Sequence, residues 1–169
     1  MSLEGQKKAL EGLFTRLNES SKFNLALKMA KISVPIWEAY KKRNTLLLFK
    51  SEVYNQPDVD MALLRETIDA IENDNFSDLR QSFNQFRQPI VMLQEGEWEL
   101  SMSIKNAFYS VYNLAKAVLS GENKAQRSSC VRQSVMQSFD AINKSFLLSM
   151  DEWKDFLEDY RLAAEESGL

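Results

Sequence analysis

The sequence predicts an all-α fold: a single-domain bundle of about seven helices around a central helix near residues 98–120, with two helices bent at Pro35 and Pro89. Three observations carry that prediction. Apolar residues recur at steps of three and four along most of the chain, the period of one helix face. Only five Gly and three Pro occur, far too few for a turn-rich all-β protein. The one short unbroken apolar run, Thr45-Leu46-Leu47-Leu48-Phe49, has no convincing second strand to pair with, so it reads as helix. Helix-on-helix packing is then the layer scheme left, and 169 residues can bury roughly 70% of the unfolded chain's surface without staples.

The first helix is expected from about Leu3 to Leu17, with Leu3, Leu10, Leu13, Phe14 and Leu17 on one side. Asn18-Glu19-Ser20-Ser21 breaks it and offers Ser20 or Ser21 as the next N-cap. Phe23, Leu27, Ala30, Val34 and Trp37 then form a seam that passes through Pro35 without a phase jump, which predicts a kinked second helix. Asn55-Gln56-Pro57-Asp58 reads as a loop and helix start, followed by the stripe Met61, Leu64, Ile68 and Ile71. Ser77 is the expected N-cap of the next helix, whose stripe is Leu79, Phe83, Phe86, Ile90 and Leu93, with Pro89 inside it.

The central helix carries Ile104, Ala107, Phe108, Val111, Tyr112, Ala115, Val118 and Leu119 on a stripe broader than a surface helix needs. Gly121 supplies the left-handed position that ends it. Val131, Val135, Phe139, Ile142 and Phe146 define a sixth helix. The last begins at the capping box Ser149-Met150-Asp151-Glu152, with Leu148 and Trp153 as the hydrophobic staple, and carries Trp153, Phe156, Leu157 and Tyr160 inward.

Composition excludes several kinds of function. With no histidine, Ser-His-Asp and Cys-His machinery, Glu-x-x-His di-iron sites and His-ligated zinc are impossible. The glycines never cluster, so neither a dinucleotide fingerprint nor a P-loop can form. The single Cys130 excludes an internal disulfide and reads as a small buried residue rather than a nucleophile. Asp58-Val59-Asp60 and the Asp74–Asp78 stretch lack the glycine turn and terminal Glu of a calcium loop. No cofactor and no metal are expected. No apolar run approaches the length of a membrane span, and MSLEGQKKAL has no secretory h-region, so the expected location is the cytoplasm.

Charge is uneven along the chain. Residues 1–50 carry a net +6, residues 51–100 a net −8, residues 101–150 a net +4 and residues 151–169 a net −5. Such blocks meet each other inside the fold or face a partner of opposite sign. The acidic face of the last helix, Glu152, Asp155, Asp159 and Glu166 with Asp151 and Glu158 beside it, is the candidate partner-binding surface, with the stretch from Asp58 to Asp78 as the second choice. Lys22, Lys28, Lys31, Lys41, Lys42 and Arg43 suggest nucleic acid, but a pI near 5.2 and the lack of helix-turn-helix grammar or a stacking platform weigh against it. Trp37, Trp98 and Trp153 read as core and staple residues, or as anchors for a protein partner.

The segments ALKMAKISVPIWEAY, LLRETIDAIEND and AFYSVYNLAKAVLSGEN, in this order, resemble the pattern of small all-helical bacterial proteins that include predicted immunity proteins of polymorphic-toxin systems. The resemblance implies a helical domain that binds a protein, often a basic toxin, and blocks it. The expected function is therefore a non-catalytic protein-binding module acting on a basic partner, without nucleic acid or membrane. The alternatives are a small-molecule-binding regulator or enzyme with an aromatic-lined pocket, and a helical protein that simply oligomerises.

Overall fold

The periodic stripes become helices. The computed structural model describes residues 2–46, 59–144 and part of the stretch 151–162, and gives six helices with defined bounds. These are α1 (Leu3–Arg16), α2 (Glu19–Leu46), α3 (Leu63–Glu72), α4 (Phe76–Gln94), α5 (Met102–Leu119) and α6 (Lys124–Lys144). The described residues between 151 and 162 are helical too, and no described residue lies in a strand. Both α2 and α4 continue through their prolines, Pro35 and Pro89. The rest of the Thr45–Phe49 run, the Pro57 loop, the 148–150 capping signals and Trp153 lie outside the described residues.

Helix α5 is the centre of the bundle, packing against α2, α3, α4 and α6. Its small residues explain how. Ala107, Ser110, Ala115 and Ala117 are all buried, so neighbouring backbones approach closely. At the meeting of α2, α5 and α6, the hydroxyls of Ser33 and Ser110 lie 3.3 Å apart, and the Ser134 hydroxyl donates to the Ser110 carbonyl at 2.8 Å. Each serine thus satisfies its buried hydroxyl, and the seam fixes the register of three helices.

Beside this seam lies an aromatic cluster. The Phe108 ring sits 4.9 Å from Phe86, 5.1 Å from Trp37 and 5.7 Å from Trp98. All four side chains are buried. The indole Nε1 groups of Trp37 and Trp98 have no hydrogen-bond partner, an uncompensated desolvation inside an otherwise apolar centre.

The middle of α2 is fastened to α3 at the surface. Lys31 bonds Glu72 at 3.1 Å, and Arg65 bonds both carboxylate oxygens of Glu38 at 2.6 and 2.9 Å. Residues 31 and 38 are seven apart, as are 65 and 72, so two turns of each helix align in opposite directions. The basic and acidic blocks therefore partly neutralise each other across this seam.

Several local expectations are corrected. The cap of α2 is Asn18, whose side-chain oxygen accepts from Ser21 N at 2.8 Å, rather than Ser20 or Ser21. Asn75 caps α4 by the same i to i+3 bond, accepting from Asp78 N, two residues ahead of Ser77. Helix α3 starts later than Pro57-Asp58 implies: Asp60 holds Ala62 N at 2.9 Å in a turn, which leaves Met61 exposed. Leu3, in the first turn of α1, is also exposed. Conversely, Leu25, Met29 and Ile36 are buried although they lie off the expected seam of α2, since α2 packs against three helices, α3, α5 and α6. The left-handed turn is where expected: Gly121 has φ +59° between α5 and α6.

Candidate functional site

The acidic residues of the last helix are on the surface. Glu152, Asp155 and Glu158 are exposed, as is Asp151, while Phe156 holds the opposite face against the core. Asp159 and Glu166 lie outside the described residues. Asp151, Asp155 and Glu158 follow at i, i+4 and i+7, so they form one stripe. Glu158 accepts from Arg161 at 2.5 and 2.9 Å, and that bond holds its carboxyl below the usual carboxylate range. The second acidic candidate keeps Asp60, Glu66, Asp69, Asp74 and Asp78 exposed around α3, but Glu72 is committed to Lys31.

Two open grooves flank the turn between α5 and α6, and bases line both. The first, of about 600 Å³, runs between the first turns of α2 and α6, with Phe23 and Val131 below and Lys124 and Arg127 beside it. Here the Arg127 guanidinium lies 6.0 Å from the Phe23 ring centre, and Glu19 is 3.7 Å from Lys22. The second groove, of about 410 Å³, lies between α4 and the end of α5. Val118 and Leu119 line it together with Phe76, Arg80, Phe83 and Arg87. Phe83 stacks on Tyr112 at 5.4 Å with the rings 7° from parallel, which fixes the groove wall. Phe76 is 50% exposed.

The sequence reading overlooked this second groove. Its signal was present as a second stripe on α4, Phe76, Arg80, Phe83 and Arg87, at steps of four, three and four. It was hidden because Phe83 also belongs to the inward stripe and the arginines read as a solvated face.

The chemistry available to these surfaces is charge and apolar contact. Among the described residues no group of three or more Cys, Asp or Glu side chains is arranged to hold a metal ion. Cys130 is buried, and burial pushes its thiol above the usual value despite the opposing charge of Lys116. A thiol so placed is a poor nucleophile. Trp37, Phe86, Trp98 and Phe108 fill the core against one another. Among the described residues no helix is long and apolar enough to cross a membrane.

No protein-family model, curated protein or solved structure matches this chain. The functional reading therefore rests on the surfaces themselves.

Proposed function

We propose that this chain is a non-catalytic protein-binding module whose acidic last helix docks a basic protein partner. The observation that supports it is the exposed stripe Asp151, Asp155 and Glu158, carried by a helix whose other face is fixed to the core through Phe156. A stripe anchored in this way presents carboxylates at fixed spacing, which favours fast, oriented association with a surface of opposite sign. In its most concrete form the module is an immunity-type protein that covers the basic active-site surface of a toxin, as the sequence resemblance implies. The net −3 charge and the −5 of residues 151–169 favour a basic partner over nucleic acid.

The test is a comparative pull-down with two baits, the natural chain and the triple variant Asp151→Lys, Asp155→Lys, Glu158→Lys. A basic protein held stoichiometrically by the first and lost by the second supports the reading. Equal retention by both baits would remove the stripe as the site.

A further inference from the structure

We propose that two copies of this chain associate, the helical residues described between 151 and 162 of each lying antiparallel in the α4–α5 groove of the other. The proposal rests on reading the 151–158 carboxylates as a docking stripe for a basic protein surface, and it identifies that surface as the Arg80–Arg87 groove wall of a second copy. The exposed stripe of the last helix continues to Leu162, giving Asp151, Asp155, Glu158 and Leu162 at steps of four, three and four. The groove stripe on α4, Phe76, Arg80, Phe83 and Arg87, has the same steps. A four-three-four spacing reads the same in both directions, so the stripes can be laid together either way.

Chemistry chooses the direction. Run antiparallel, Arg80 faces Glu158, Arg87 faces Asp151, and Phe76 faces Leu162. Asp155 then falls at Phe83, next to the exposed amide of Asn84. Both arginines thus meet a carboxylate, and two large apolar side chains left 50% and 46% exposed cover each other. Run parallel, Phe76 would meet Asp151 and Arg87 would meet Leu162. The seven-residue interval between the two charged pairs is the one the fold already uses where Lys31 and Glu38 pair with Glu72 and Arg65.

The occupant is a second copy because one chain carries both members of the pair, an acidic stripe and a basic groove wall with the same four-three-four steps. Among the described residues no ion pair joins Arg80 or Arg87 to an acid, and Glu158 bonds its own neighbour Arg161. That bond is between side chains 51% and 43% exposed, so it can be exchanged for Arg80 with little loss. Because each copy carries both stripe and groove, a two-fold arrangement makes the contact twice and closes the assembly at a dimer.

Sedimentation velocity over a range of concentrations tests this with three proteins. The natural chain is expected to form dimers at low salt that dissociate at about 0.5 M salt, where charges are screened beyond about 4 Å. The variants Arg80→Glu/Arg87→Glu and Asp151→Lys/Asp155→Lys/Glu158→Lys are each expected to dimerise at least about tenfold more weakly, since attraction becomes repulsion at both pairs. Mixed in equal amounts they restore a dimer, because each groove again faces a stripe of opposite sign. That rescue also shows that both variants are folded. A natural chain that stays monomeric at every concentration overturns the proposal, as does a dimer that neither variant weakens. If a monomer still captures a basic protein through the stripe, the dimer fails while the protein-binding reading stands.

Discussion

Replacing Phe108 with Ala is the sharpest test of how the core is built. The ring is wholly buried on the central helix, within 6 Å of Phe86, Trp37 and Trp98. Truncating a buried Phe to Ala costs about 3–5 kcal/mol, from lost transfer energy and the cavity left behind. Here the upper half of that range applies, because three buried rings lose a contact at once, Trp37 and Phe86 held by helices and Trp98 by the turn between α4 and α5. The better helix propensity of Ala returns only about 0.5 kcal/mol. The expected net loss is therefore about 4 kcal/mol, a large part of the roughly 5–15 kcal/mol that stabilises a domain. With an m-value of about 2 kcal/mol/M, the urea midpoint should fall by about 2 M. Tryptophan fluorescence reads it directly, since Trp37 and Trp98 touch the site. Phe108→Leu, which keeps most of the volume, should cost less than about 1.5 kcal/mol. A loss below about 1 kcal/mol for Phe108→Ala would mean that the cluster is not the centre of the core.

Three further outcomes are expected. Trp98→Phe should change stability by no more than about 1 kcal/mol, because losing packed area is offset by removing a buried indole N–H that has no partner; a loss above about 3 kcal/mol in the same urea titration would show that the N–H is satisfied. Glu38→Gln should cost about 0.5–1 kcal/mol at neutral pH. The Arg65 hydrogen bond holds Glu38 below its ordinary 4.5, so the stabilisation is present above that value and fades as the pH falls through the lowered one; a natural-minus-variant difference that does not shrink on acidification would refute the pairing. Cys130, 5% exposed and with its thiol raised by burial, should react with a thiol reagent only as fast as the chain opens, and labelling as rapid as in denaturant would place it at the surface.

The helices were legible in the sequence because each must bury a face, and burying a face imposes a period of three and four on the residues themselves. The stripe of α5, the break after Leu17 and the left-handed Gly121 could all be read in this way, since every signal lies within one or two turns of what it controls. Histidine's absence likewise ruled out whole families of chemistry. Cap positions were missed by two or three residues because Asn18 and Asn75 compete with nearby serines for the same backbone N–H groups. The candidate site was legible only in part. The acids of the last helix could be placed on one face from spacing alone, but which charges stay available depends on what stands across the seam. Sequence blocks of net +6 and −8 did not reveal that Lys31 would take Glu72 or that Glu38 would take Arg65. The α4–α5 groove was likewise invisible, because Phe76, Arg80 and Arg87 become a groove wall only when Val118 and Leu119 arrive beside them. Local periodicity determined the elements of this protein, and the packing of distant segments decided which of its charged and apolar residues remain free to meet another molecule.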